Sequence, residues 1–312
     1  MNKNADGRDA ILRGIRVFDG GLATELEFQG ARIDGPLWSA HVLEDEPEKL
    51  TAVYRDYIEA GAECIATCSY QVSRMGYAEV GLAPERADAA LLRSVDLAHS
   101  AVAEFPGRRV LVAASLGPYG AALHNGAEYH GNYDCSYADL VRFHRQRIDV
   151  LARAEGPQAP DLLAFETFPS FEEMRAVAEA LAPWPALQAW FSFSCRDNKN
   201  VSHGEPLAEC ATFLAKLPQT AAIGVNCVPP KWISSLIGEL RAASDLPILV
   251  YPNSGEGWNA ERRCWTGTTD PAEFGALAAQ WFAAGAQIVG GCCRTRPAHI
   301  HAVAQAATLS AS

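Results

Sequence analysis

Ala284-Gly285-Ala286-Gln287-Ile288-Val289-Gly290-Gly291-Cys292-Cys293 reads as the end of a helix, a short buried strand and two adjacent thiols. Glycine at 285 suits the position just past a helix end, where the backbone turns left-handed. The apolar run after it does not alternate, as expected of a strand covered on both faces in a parallel sheet. Ala60-Gly61-Ala62 repeats the punctuation after a segment, 47–59, that puts Leu50, Val53, Tyr54, Tyr57 and Ile58 on one helical face. Working outward, short apolar runs recur at 16–19, 63–69, 109–115, 162–166, 187–193, 221–227, 247–252 and 286–291, with amphipathic segments between them. Parallel strands need such crossovers. Eight strand–helix units predict an α/β fold, a (β/α)8 TIM-type barrel forming a single domain over residues 15–312 behind a polar lead-in at 1–14.

The lead-in lacks the apolar segment of a signal peptide. The longest uncharged stretch, 274–293, is interrupted by Gln280, Gln287 and four glycines, so it reads as helix, turn and strand and not as a membrane span. Nine cysteines in a chain of 312 residues are an odd number and not a dense framework, which points to a reducing, cytoplasmic compartment. The net charge of −11 argues against a nucleic-acid partner, whose phosphates need Lys and Arg. A neutral or cationic small molecule fits better, and acidity also serves solubility.

In a parallel barrel chemistry gathers at the C-terminal ends of the strands, and Asp19, Ser69, Glu166, Cys227, Asn253, Cys292 and Cys293 all fall there. Neighbouring Cα atoms are held about 3.8 Å apart, short of the roughly 4.4–6.8 Å a disulfide spans, so Cys292 and Cys293 do not readily pair with each other. With Cys227 they can supply three corners of a zinc tetrahedron and leave the fourth for a substrate. The competing reading is of small buried hydrophobes. It fits Cys64, Cys68, Cys195 and Cys210, and the residues alone leave both readings open for the other three. The histidines show no metal-ligand spacing, and His124 and His130 read as surface residues of an irregular segment, 118–136, that could cover the site. A substrate thiol is mostly protonated at neutral pH, and a metal can deprotonate it; methyl transfer to sulfur from a cationic donor is then the natural reaction. Asp19, in the Asp-Gly-Gly turn, and Glu166, a lone carboxylate closing an apolar run, could hold an ammonium.

At these residues the chain resembles the homocysteine S-methyltransferase family, most closely the branch that uses S-methylmethionine. The likeness runs from Phe18-Asp19-Gly20-Gly21 and Thr24-Glu25-Leu26 through Leu37-Trp38-Ser39-Ala40, Ser69-Tyr70-Gln71, Leu116-Gly117-Pro118-Tyr119-Gly120-Ala121 and Glu166-Thr167. It continues through Trp190-Phe191-Ser192-Phe193, Gly224-Val225-Asn226-Cys227 and Val250-Tyr251-Pro252-Asn253-Ser254-Gly255-Glu256 to Gly291-Cys292-Cys293-Arg294-Thr295. The resemblance implies a zinc-dependent barrel in which Cys227, Cys292 and Cys293 bind Zn2+ and homocysteine sulfur takes the fourth position. It implies that Asp19 and Glu166 contact the homocysteine amino group and that Asn253 lies close to the metal. Ser69 is a substrate contact by position, and Trp38 and Tyr70 are aromatic candidates for a sulfonium at the mouth.

The implied reaction converts L-homocysteine and S-methyl-L-methionine to methionine. Alternatives are S-adenosylmethionine or betaine as donor, selenocysteine as acceptor, and a non-enzymatic zinc- or redox-sensing barrel.

Overall fold

The computed structural model describes residues 10–33, 42–259, 264–266 and 270–310; Trp38 lies outside them. Seven parallel strands form one curled sheet in the order β1-β2-β3-β4-β5-β6-β9. They are β1 (Cys64–Ala66), β2 (Leu111–Leu116), β3 (Leu162–Phe168), β4 (Ala189–Phe193), β5 (Thr220–Asn226), β6 (Ile248–Tyr251) and β9 (Ile288–Val289), while β7 (Gly257–Asn259) and β8 (Cys264–Thr266) pair separately as an antiparallel hairpin. Every neighbouring pair in the main sheet is parallel.

The sequence predicts eight strands, and among the described residues the sheet has seven. The missing one is 16–19, which makes one parallel bridge to each edge strand, Val17 to Val289 and Phe18 to Cys64. Four residues shared between two partners are too few for a ladder. The backbone bonds are nonetheless made on both sides: Phe18 N–H donates to Val289 O at 2.9 Å, and Asp19 N–H to Cys64 O at 3.1 Å. Glu63 holds the segment from below, accepting from Arg16 N at 2.6 Å and Val17 N at 3.1 Å.

The crossovers follow from patterning. The helix Pro47–Glu59 starts with proline at its first position, where a missing N–H is harmless. It buries the five predicted residues, Leu50, Val53, Tyr54, Tyr57 and Ile58, each at 0% exposure; complete burial of one such side chain contributes about 1.5–3 kcal/mol. Gly61 then takes a φ of +113°. The second punctuation behaves alike: the helix Pro271–Ala284 ends on Gly285 at φ +113°, and β9 follows. Helices Tyr137–Ala152 and Phe171–Leu181 flank β3 and start on Ser136 and Ser170, whose side chains accept backbone N–H bonds.

Inside the curl a second apolar cluster includes Phe18, Leu111, Leu162, Trp190, Leu249, Tyr251 and Ile288. Phe18 packs edge-on against Trp190 and Tyr251, with centroids 5.2 and 5.0 Å away. These buried rings form an apolar floor below the C-terminal strand ends. At the other end Leu12, at 5% exposure, joins this cluster, and the Arg109 guanidinium donates to the carbonyls of Ile11 and Arg13. No helix among the described residues is long and apolar enough to cross a membrane.

Candidate active site

Cys227 follows the last residue of β5, and Cys292 and Cys293 follow β9 and its Gly290-Gly291 step. Their sulfurs all lie within 4.8 Å of one another. Cys227 Sγ is 3.8 Å from Cys293 Sγ, and two sulfurs each about 2.3 Å from a tetrahedral metal are also separated by about 3.8 Å. The Sγ atoms of Cys227 and Cys292 touch, with Cα atoms 5.6 Å apart, a separation a disulfide can span. The three thiols therefore fit a thiophilic divalent ion when reduced, and two of them can instead pair. Burial lifts the Cys293 thiol to about 11, so a thiolate there at neutral pH requires a bound cation.

Backbone contacts set this geometry. Cys292 N–H donates to Pro252 O at 2.8 Å, Gly291 N–H to Asp19 O at 2.9 Å, and Ser254 N–H to Cys293 O at 3.0 Å. The Asp-Gly-Gly turn lies directly on the cysteine turn: a Cβ on Gly21 would come 2.5 Å from Cys292 O, and one on Gly291 would come 2.3 Å from Thr295 Oγ1. Tyr57 links both turns, its hydroxyl lying 3.1 Å from Gly21 O and 3.2 Å from Thr295 O. Four non-glycine residues with left-handed backbones border the cavity, His124 (φ 53°), Thr167 (φ 63°), Cys227 (φ 52°) and Arg294 (φ 67°). Such conformations cost about 1–3 kcal/mol each and gather at functional positions. Asn226 holds Thr167 by reciprocal bonds, accepting from its N–H at 2.8 Å and donating to its Oγ1 at 2.7 Å.

Asp19 and Glu166 both face the cavity that contains the cysteines, a space of about 1870 Å³. Asp19 is 2% exposed and Glu166 8%. Asp19 Oδ2 accepts from Ala66 N at 2.7 Å. Glu166 accepts from the Ser115 hydroxyl and, at 3.1 Å, from the Tyr251 hydroxyl. Burial pushes the Asp19 carboxyl well above its usual range; the Ala66 amide opposes this and the Glu166 charge reinforces it. Burial also raises Glu166 to about 7, against the pull of Ser115 and Tyr251. Among the described residues neither carboxylate forms an ion pair with Lys, Arg or His. Two buried acids without a cation suit a ligand that brings one.

Not every expected residue is brought to the cavity. Ser69 is 1% exposed, donates to Ser115 O at 2.8 Å and lies 2.6 Å from Thr67 Oγ1, so its hydroxyl is engaged in joining the β1 and β2 ends. Neither Ser69 nor Asn253 lines the cavity. Asn253 N–H donates to Val228 O at 3.1 Å, which joins the β5 and β6 exits, while its Oδ1 is buried without a partner. Tyr70 does line the cavity, as do His124 and Tyr129 of the 118–136 segment. Sequence reasoning missed Ser115 and Tyr251 as Glu166 partners. Both lie within apolar runs, and only strand register shows that they face inward.

The homocysteine S-methyltransferase family model matches residues 16–307. Homocysteine S-methyltransferase YbgG of Bacillus subtilis (strain 168) is 42% identical over 296 residues, which cover 92% of this chain and 93% of that one. The solved homocysteine methyltransferase MmuM from Escherichia coli superposes in its metallated form with a TM-score of 0.84, at 40% identity over 95% of this chain and 98% of that one. Its oxidised form gives the same TM-score at 41% identity, covering 94% and 97%. With nearly its whole length matched, the chain belongs to the homocysteine S-methyltransferase family.

Proposed function

We propose that the chain transfers a methyl group from S-methyl-L-methionine to the sulfur of L-homocysteine, on a closed (β/α)8 barrel spanning residues 15–312, with zinc held by Cys227, Cys292 and Cys293. The observation that carries this reading is the convergence of three thiols and two cation-free buried carboxylates in one cavity. A zinc ion bound there would supply one thing, a lowered pKa for the acceptor thiol. Three sulfur donors favour zinc among common divalent ions, and the metallated E. coli relative supports a metal.

The remaining work falls to the chain. Asp19 and Glu166 accept the homocysteine ammonium, which fixes the amino-acid end while the sulfur points at the cysteines. Ser115 and Tyr251 hold the Glu166 carboxylate in place. The Phe18, Trp190 and Tyr251 floor excludes water from below. The acceptor sulfur forms a bond to the methyl carbon as the bond to the donor sulfonium breaks. The donor leaves as a neutral thioether, so no general acid is needed, and the thiol proton goes to solvent. Alignment of the three atoms can supply up to about 7–11 kcal/mol in well-oriented systems. Tyr70 can face the sulfonium for about 0.5–2 kcal/mol of cation–π attraction.

The test is methionine formation by reduced, zinc-loaded protein from homocysteine, with S-methylmethionine, S-adenosylmethionine and betaine offered separately. We expect turnover to favour S-methylmethionine. Preference for another donor would move the donor assignment, and no turnover with any of them would sink the reading. Cys292→Ser is expected to lose zinc and activity together.

A further inference from the structure

Asp19 and Glu166 account for one ammonium, yet the same cavity presents two more acceptor atoms that the chain leaves unmet. Among the described residues, Glu128 Oε2 and Gln71 Oε1 are buried without a hydrogen-bond partner, and both side chains line the cavity containing the cysteines. Gln71 follows the β1 exit, and Glu128 lies in a 3-10 turn, Ala127–Tyr129, in the segment after β2. The Gln71 amide is oriented by its own contacts: Nε2 donates to Ala121 O at 3.1 Å and lies 3.4 Å from His124 Nδ1, so the carbonyl oxygen is the end left over.

Glu128 is fixed from two sides. A Cβ on Gly120 would come 2.5 Å from its backbone nitrogen, and its carbonyl accepts from Ser194 Oγ at 3.0 Å. Adjacent residues Gly120 and Ala121 thus pack on Glu128 and Gln71 respectively. The Glu128 charge is also felt by Tyr70, the chain neighbour of Gln71, and by Tyr129. A buried carboxylate oxygen and a buried amide oxygen without donors are unfavourable until a ligand brings donors. An ammonium has three N–H groups and no acceptor, so it complements both.

We propose that Glu128 and Gln71 form a second ammonium-binding subsite, separate from Asp19 and Glu166, that recognises the α-amino group of an amino-acid sulfonium donor. The inference rests on the reading of the chain as a sulfonium-dependent methyltransferase and names what selects its donor. A cation without an α-amino group would forgo the subsite.

The experiment is calorimetric binding of S-methylmethionine and, as a probe lacking the ammonium, trimethylsulfonium, to the reduced zinc-loaded wild type and to Glu128→Gln and Gln71→Leu. Glu128→Gln should weaken S-methylmethionine by about tenfold or more, the scale of a hydrogen bond to a charged group. Gln71→Leu should weaken it severalfold, and trimethylsulfonium should change less than twofold in either variant. Homocysteine binding to both variants reports an intact fold. Unchanged S-methylmethionine binding in Glu128→Gln, an equal loss of both cations, or no S-methylmethionine binding by wild type would overturn the subsite. Turnover is read separately: selective weakening in the variants alongside a wild type that makes no methionine would keep the subsite and overturn the proposed reaction.

Discussion

Glu166 shows how much a single buried residue determines. Its carboxyl, raised to about 7 by burial, is partly protonated at neutral pH in the ligand-free protein. A folded-state pKa above the unfolded one favours folding below about pH 4.3, an advantage lost as pH rises through 7. For ligand binding the sign reverses, because an ammonium needs the ionised form. Homocysteine kcat/KM should therefore fall below about pH 7, by up to tenfold per unit of pH. Glu166→Gln should lower kcat/KM overall and flatten that limb; an unchanged limb in the variant would assign it to another group. Asp19→Asn should weaken homocysteine binding while metal content stays intact, and metal loss would recast Asp19 as a support of the cysteine turn, where its carbonyl accepts from Gly291. At this scale the sequence was informative where chemistry is rare. Vicinal cysteines and a lone carboxylate closing an apolar run stand out, whereas Tyr251 and Ser115 look like strand residues until β2, β3 and β6 are brought side by side. Ser69 shows the converse, since a hydroxyl at a strand end can serve its neighbours and not the cavity.

Among the elements, strand positions were legible because each run is apolar throughout, and their ends were not, because pairing defines them. The run at 16–19 read as a strand by composition and became two single bridges because its length leaves no room for a ladder. The segment after β2 is supported from behind by a fully buried group: Glu173 accepts from Tyr119 N, from the Tyr133 hydroxyl at 2.8 Å and from His144 Nε2 at 2.9 Å. Arg147 donates to Gly117 O at 2.7 Å and to His144 Nδ1 at 2.9 Å. Since Arg can only donate, His144 carries its proton on Nε2, and burial lowers it to about 4, so the ring is neutral. This network ties both ends of the segment to the helices Tyr137–Ala152 and Phe171–Leu181. Glu173→Gln leaves three buried donors, Tyr119 N, the Tyr133 hydroxyl and His144 Nε2, with one acceptor oxygen among them, at a cost of about 1–3 kcal/mol. A lower urea midpoint and faster proteolytic cutting within 118–136 are expected; unchanged protection there would show that the segment is held otherwise. Gly224 in β5 makes a sharper steric test, since an added Cβ would sit 1.9 Å from Leu249 O on β6. Gly224→Ala should cost about 3 kcal/mol, the upper end of ordinary overpacking, and weaken metal binding by displacing Cys227. Normal stability and metal affinity would mean that the strands have slack.

Across the whole molecule, the fold brings residues far apart in the chain to one end of the sheet. Cys227 and Cys292 are separated by 65 positions, and Asp19 meets the turn that carries the second of them. The α/β class and the parallel sheet could be read from the apolar runs and two Ala-Gly-Ala punctuations, but the bridge between 16–19 and β9 depends on the sheet's curl, which no local pattern encodes. A metal on the three cysteines would join the exits of β5 and β9, so it should stabilise the sheet as well as lower the pKa of the acceptor thiol. At a hundredfold excess over its dissociation constant a ligand adds about 2.7 kcal/mol, and each kcal/mol moves the Tm of a domain of 150–250 residues by about 2–4 °C. In a chain of 312 residues the shift per kcal/mol is smaller, so stripping the reduced protein with a strong chelator should lower Tm by about 4 °C, and zinc should restore it. Cys292→Ser should melt at the stripped value with or without zinc. A wild-type Tm indifferent to chelation, or a variant that still responds to zinc, would place the metal elsewhere and separate the thiol cluster from the stability of the fold.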